Sequence, residues 1–423
     1  MEQKEIKWHT GWLIVVVSAM ITCISVGIRF STGPFFKPIM ADLDFSREEL
    51  SLIIAISLLV YGFGMSLAGA LADRFGTRSV LVSGAILVSG SMLWTAFTHS
   101  AFHFFVSFGI LMSLGLAFTS QVTLTPVVSK WFTRHRGLAL TILISGAMAG
   151  IGIMTPVSTW LIQIMGWRAS FILLAMVLLL LIIPAALFII RDEVPDAWKV
   201  YEAGDTTRKT ANPSRSFSIE RWTAALHTSA FWQLAFGMFV CGFSMNLLGS
   251  HGVPMLTDHG FHEMEASMGI GLIGLVAIGS SIILGMLSDH ISRKNILALI
   301  YLVRGIGFFM LVSVSSPFGL YATAIIGGLV WAGSTSMSSA ILGDLYGIKW
   351  VGTLYGLLYL SHQIGAAIGS YLGGWGYETT GSHWVSFGSA GALLLLASLV
   401  SFLIPKSIDS LHPATAHVKK ANA

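Results

Sequence analysis

The most constraining feature of this chain is a succession of apolar runs, each about 17 to 27 residues long, spread over almost all of its 423 residues. They fall at about 11–36, 48–72, 79–98, 102–128, 137–160, 167–190, 229–254, 266–288, 295–315, 318–344, 351–375 and 382–405. At a rise of about 1.5 Å per residue, ~20 apolar residues of helix match a hydrocarbon core about 30 Å thick. The pattern predicts an all-α membrane protein with twelve transmembrane helices. Composition agrees, because only 10% of residues are charged, against roughly 25% in soluble domains. Met1–Thr10 is short and polar, and the run after it is too long for a cleaved secretory signal, so the first span is expected to stay.

The basic residues set the expected orientation. Nineteen Lys and Arg fall on the side of both termini, and Lys37, Arg47 and Arg168 fall on the other. By the positive-inside rule both termini are expected to be cytoplasmic, in a cell membrane of the cytoplasmic or inner type. The net charge of +4 is explained by that asymmetry, with no nucleic-acid partner implied. The stretch 191–226 carries Pro195, Pro213 and six basic side chains. It reads as a cytoplasmic linker between an N-terminal six-helix bundle (1–190) and a C-terminal one (227–405), with 406–423 as a tail. Cys23 and Cys241 both fall inside expected spans, which favours packing roles over a disulfide.

The two bundles look duplicated. Gly69, Asp73, Arg74, Gly76 and Arg78 follow span two, and Gly285, Asp289 and Arg293 follow span eight at an offset of 216 residues. In both, a Gly precedes an Asp by four residues at a helix end, where the small residue would permit close helix approach. This G-x-x-x-D-R-x-G-x-R loop resembles the signature of the major facilitator superfamily, and the resemblance covers essentially the whole chain. It implies two pseudo-symmetric six-helix bundles, alternating access, a monomer, and a cytoplasmic gate built on Asp73 that latches one conformation without touching substrate. Other segments are similar to the bacterial monocarboxylate-transporter branch, which includes oxalate/formate exchangers. They are Gly27 to Ser31 with Phe35 to Pro38, Lys130 to Phe132 with Arg136 and Gly137, Gly166 to Arg168, and Ser361 to Gly365. The chain departs from that branch in span eight, which often carries an Arg there and here offers only Ser280 and Ser281, and in span eleven, which lacks the Lys of some members.

A charge at the centre of a span costs about 2.5 to 3.5 kcal/mol on insertion scales, so a retained one usually serves a pathway or a buried pair. Arg29 and Arg304 are the two, and every acidic residue can be placed in a loop, a tail or a helix end. A guanidinium without an acid partner suits a carboxylate, because its planar fork holds both oxygens. Arg29 is the candidate substrate anchor, with snorkelling to the interface or bonding to backbone carbonyls as the alternative. Arg304 reads as either a functional charge or a structural bond to a neighbouring helix. The repeat offset carries Arg29 to Met245, next to Asn246, which would complete the polar ring from the second bundle.

His362 is expected near mid-depth, where imidazole can exchange a proton at physiological pH. Gln363 is its hydrogen-bonding neighbour, and a satisfied packing histidine is the bland alternative. Tyr61, Gln121, Trp331, Ser334 and Ser338 share the depth of a central cavity, although spans also use such residues simply to pack. Gly146, Gly150, Gly152 and Pro156 read as helix-packing positions. With no P-loop, metal-spaced cluster or nucleophile–base pair, neither a metal, a cofactor nor an enzymatic activity is expected. The leading expectation is a secondary transporter for a small organic anion, most simply a monocarboxylate, coupled to a proton and in contact with lipid. A drug or cation/proton antiporter and a non-transporting membrane sensor are the alternatives.

Overall fold

The computed structural model describes residues 9–132, 135–195, 198, 222–288, 290–347 and 350–405, and all their regular secondary structure is helical. The chain runs through α1 (His9–Phe30), α2 (Thr32–Leu43), α3 (Arg47–Phe75) and α4 (Thr77–Ala96). It continues through α5 (Ala101–Trp131), α6 (Arg136–Ile189), α7 (Ser229–Asp258) and α8 (Glu263–Leu287). The last four are α9 (Arg293–Val312), α10 (Pro317–Tyr346), α11 (Val351–Thr380) and α12 (Trp384–Phe402). Among the described residues ten helices are long and apolar enough to cross a membrane. The expected fifth and sixth runs form one 54-residue helix, α6, bent at Gly166, whose φ of 76° is open to glycine. The eleventh run forms α11, which has the length, but His362, Gln363, Ser370 and Glu378 dilute its apolarity. Twelve spans is therefore a larger number than length and composition alone establish.

Two hydrophobic cores organise the molecule. One joins buried residues from Ile14 to Trp198, and the other joins residues from Ala225 to Ile404. Large apolar side chains also cover the outside: Phe63, Leu180, Phe188 and Leu399 are exposed, and Phe318 is 85% exposed. Such a surface needs lipid as its solvent, since a helix satisfies its own backbone there. Glycines permit the tightest crossings. A Cβ on Gly146 or Gly150 would collide with the backbone of Ala19 or Cys23, and one on Gly242 with the His362 carbonyl. The packing reading of the α6 glycines thus holds. Gly69 and Gly285 differ from expectation, because a Cβ on Gly69 would meet nothing nearer than Val122 at 3.9 Å and one on Gly285 nothing within 4 Å. They mediate no close helix crossing in this conformation.

The two cores meet where α3 packs on α11, α6 on α8 and α2 on α7. Many polar contacts between them gather at the end that carries Lys37, Arg47 and Asp258, called the far end below. There Asp258 of α7 accepts from Lys37 at 2.7 Å and from Arg47 at 2.7 and 3.2 Å, and its carboxylate also meets His383 at 2.9 Å. Glu378 accepts from the backbone N–H groups of Arg47 and Glu48, and the Tyr371 hydroxyl donates to Glu48. Thr159 and Ser267 share a hydrogen bond lower on the same seam. His259, beside this cluster, has its pKa lowered first by burial and then by the neighbouring His383.

At the opposite end Asp73, Arg74 and Arg78 are exposed. Gly76 holds a φ of 82°, which lets α3 stop and α4 begin at once. The Thr77 N–H donates to Asp192, and Arg78 Nε donates to the Ile190 carbonyl, both within the first core. In the second copy Arg293 pairs with Asp344 at 2.6 Å, while Asp289 lies outside the described residues.

Candidate functional site

The first helix does not run straight through. Pro34 has no N–H for the Phe30 carbonyl, so the helix breaks at Ser31 and restarts as α2. The Ser31 hydroxyl adds a bond to the Gly27 carbonyl, which also accepts the Ser31 N–H, and the Thr32 hydroxyl donates to the Arg29 carbonyl at the break. Arg29 sits directly before it. Because α2 adds twelve residues beyond the break, Arg29 lies inside the helical column and not at its end.

From there the guanidinium reaches across to the second core. Its Nη2 donates to Asn246 Oδ1 at 3.1 Å, and its Cζ stacks 4.1 Å from the Tyr61 ring centroid. Asn246 is held in turn, since its Nδ2 donates to the Gly242 carbonyl at 3.0 Å. The rest of the Arg29 fork has no hydrogen-bond partner among the described residues. It borders a small, partly open cavity of the first core lined by Thr32, Ser57, Tyr61, Phe108 and Ser113 among others. A cation met by an amide oxygen and a π face, but by no carboxylate, keeps its capacity to bind an anion.

His362 and Gln363 lie opposite on α11. His362 Nδ1 is 3.2 Å from Gln363 Oε1, and its ring stacks on Tyr359 at 5.1 Å and 10°. Gln363 Nε2 donates to the Leu58 carbonyl at 3.4 Å, which ties α11 to α3. Tyr359 packs against both cores and lies within electrostatic range of Arg29, Tyr61 and Cys241. Sequence reading missed it, although a position three residues before His362 shares its helix face.

The remaining candidates divide. Trp331, Ser334 and Ser338 gather around Arg304, away from the Arg29 fork. Helix α10 breaks at Val330 to Ala332, beside Gly327, Gly328 and Gly333, and the freed carbonyls of Val330 and Trp331 accept from Arg304 Nη2 at 2.8 and 2.6 Å. Nη1 meets Cys241 Sγ at 3.4 Å, and Ser334 Oγ lies 3.4 Å from Nη2 and 3.1 Å from the same sulfur. Arg304 is 1% exposed. Its bonds run to neighbouring helices of its own core, so the structural alternative describes what it does here. Cys241, expected only to pack, is thus a polar neighbour of Arg304. Gln121 opens the second half of α5 after the Ser120 cap, half-buried, with no side-chain hydrogen bond to the Arg29 group.

Two packed helical cores with an apolar outer surface, a cavity at membrane depth in the first and a cation reaching from that cavity's edge to the second, fit a membrane transporter. The family model described as Major Facilitator Superfamily matches residues 18–317 and 234–421, and the chain belongs to that superfamily, whose members are transporters and not enzymes. It is 24% identical over 408 residues to the uncharacterized MFS-type transporter YcxA of Bacillus subtilis (strain 168), covering 95% of each chain. It is 25% identical to monocarboxylate transporter 11 of Homo sapiens, covering 95% of this chain and 84% of that one. It is also 25% identical to monocarboxylate transporter 13 of Bos taurus, covering 93% and 89%. Among solved structures, a bacterial homolog of the human lysosomal transporter Spinster, inward-facing and occupied, superposes with a TM-score of 0.70 at 15% identity. That match covers 94% of this chain and 97% of the other. It speaks for the fold alone.

Proposed function

We propose that this chain is a secondary transporter of a small organic anion, a monocarboxylate, moved by alternating access of two six-helix bundles and coupled to a proton. The observation that carries the reading is the Arg29 fork, turned to the cavity with Asn246 and Tyr61 as its partners. A carboxylate can take two parallel N–H bonds from it without displacing an internal acid. The relatives named as monocarboxylate transporters support the substrate class.

In this reading residues 1–190 and 227–405 are the two bundles, joined by a cytoplasmic linker, with twelve spans and cytoplasmic termini in the cell membrane. The far-end cluster around Asp258 then closes the outside. Arg29, Tyr61, Asn246 and Tyr359 hold the acid. His362 exchanges the coupled proton, its imidazole kept in place by Tyr359 and Gln363. The loops at Asp73 and Arg293 lock the linker end only after it closes.

Uptake of labelled lactate or pyruvate into proteoliposomes at about pH 5.5 and about pH 7.5 tests this, since the window spans the imidazole range. Arg29→Ala should lose uptake at both values. His362→Ala should keep exchange of acid for acid but lose accumulation driven by a proton gradient. Normal accumulation by Arg29→Ala would remove the anchor, and undiminished proton drive in His362→Ala would remove the coupling role.

A further inference from the structure

Beyond the Arg29 cavity, the second core contains a group of buried donors that the transport reading does not use. Arg304 Nε, Trp331 Nε1, Tyr301 Oη and Ser338 Oγ are all buried and have no hydrogen-bond partner among the described residues. The fold sets them side by side. Tyr301 and Arg304 are three residues apart on α9, Trp331 lies in the break of α10, and Ser338 follows on its second part, four residues after Ser334. Arg304 Cζ is 5.2 Å from the Trp331 ring centroid. Tyr301 is within electrostatic range of Arg304 and approaches Ser338 without reaching hydrogen-bond geometry.

The chemistry of these four atoms limits what can satisfy them. Arginine and tryptophan nitrogens only donate, so they cannot pair with each other, while the two hydroxyls can turn to donate as well. The carbonyls of Val330 and Trp331 supply dipoles to Nη2, but no described carboxylate meets the charge. An unpaired buried donor destabilises the folded state, and more so beside an ion. The group they fit accepts several hydrogen bonds, carries negative charge and is compact. We propose that Arg304, Trp331, Tyr301 and Ser338 form a second, enclosed site for a small monoanion, a carboxylate head or a halide, in the second core. It lies on the opposite side of Cys241 and Tyr359 from Arg29, and it does not depend on Arg29.

Thermal unfolding of the purified protein in lipid nanodiscs, in sulfate buffer of constant ionic strength, tests the proposal. Sodium chloride and sodium lactate are titrated separately into the Arg29→Ala variant, which lacks the cavity anchor. At least one salt should raise the midpoint saturably. Adding Ser338→Ala or Trp331→Phe to that background should weaken the apparent affinity about tenfold, the equivalent of one charge-assisted hydrogen bond. Each keeps Arg304 and the α10 break, so neither relies on a variant that could fail to fold. A response to chloride alone assigns the site to inorganic anions, and one to lactate alone assigns it to the transported class. A flat response to both salts, or one that neither Ser338→Ala nor Trp331→Phe changes, overturns the proposal. Loss of uptake in Arg29→Ala is read in a separate assay, so either result can fail without the other.

Discussion

Arg29 and Arg304 are the same residue type, each inside a helical core and each without a carboxylate partner, yet the chain treats them in opposite ways. Arg29 follows an intact helix up to its break, and the break directs its fork across to the other core, where it finds one amide oxygen and one ring face. Arg304 stands in the middle of an unbroken helix, and the break belongs to its neighbour α10, whose freed carbonyls turn towards it. One cation is left with most of its bonds to give, and the other has given its Nη bonds to two backbone carbonyls, a thiol and a hydroxyl of its own core. The location of the helix break, more than the charge itself, separates a guanidinium whose fork opens on the first-core cavity from one whose Nη atoms are held by its own core and whose Nε alone is left without a partner.

If that contrast is real, stability should separate the two arginines first. Arg304→Met strands the Val330 and Trp331 carbonyls in a dry interior, at about 1 to 3 kcal/mol each, while the Cys241 thiol and the Ser334 hydroxyl keep their contact with each other. Arg29→Met loses one hydrogen bond beside a cavity that water can enter, a change of about 1 kcal/mol. Thermal unfolding in nanodiscs should show a large fall in midpoint for the first and a small one for the second. Equal falls would erase the distinction.

Transport should separate them in the other direction. Arg29→Ala is expected to lower lactate uptake per folded molecule about 100-fold, or about 2.7 kcal/mol. Arg29→Lys should recover part of it, because an ammonium keeps the charge but not the two-pronged geometry. A Lys variant as active as the parent chain would mean that charge alone suffices.

The sequence made part of this contrast legible. Run lengths placed both arginines at membrane depth, and the 216-residue offset brought Asn246 opposite Arg29, where the structure has it at 3.1 Å. Depth is readable because helix rise is constant. Azimuth is not, because which face of a span meets which neighbour depends on packing across the whole bundle. Trp331, Ser334 and Ser338 have the right depth but turn to Arg304. Tyr359 was passed over although it joins both cores, and Cys241 was read as filler although it bonds a guanidinium. The break at Ser31 was signalled by Pro34. The one at Val330 was signalled only by glycines, which spans also use for close packing.

The smallest expected effect tests whether the two arginines differ in their dependence on conformation. The Arg29–Asn246 bond joins the two cores, so it should yield when the far end opens, whereas every bonded partner of Arg304 lies in one core. Asp258 holds Lys37 and Arg47 of the first core against the second, and its side chain is 14% exposed. That leaves it enough water for the pairs to be worth about 1 kcal/mol each, well below a fully buried set. Asp258→Asn should therefore shift the population toward an open far end by about tenfold. The shift can be read as faster maleimide labelling of Val253→Cys in a background lacking Cys23 and Cys241, since Val253 lines the seam beside Lys37. In the same variant the effect of Arg29→Met on the midpoint should shrink, because its bond is already broken in part of the population. The effect of Arg304→Met should add unchanged, as distant sites with no shared partner do. If both arginine effects shrank together, the second core would not be moving as a unit, and the separation drawn between the two cations would belong to a single conformation only.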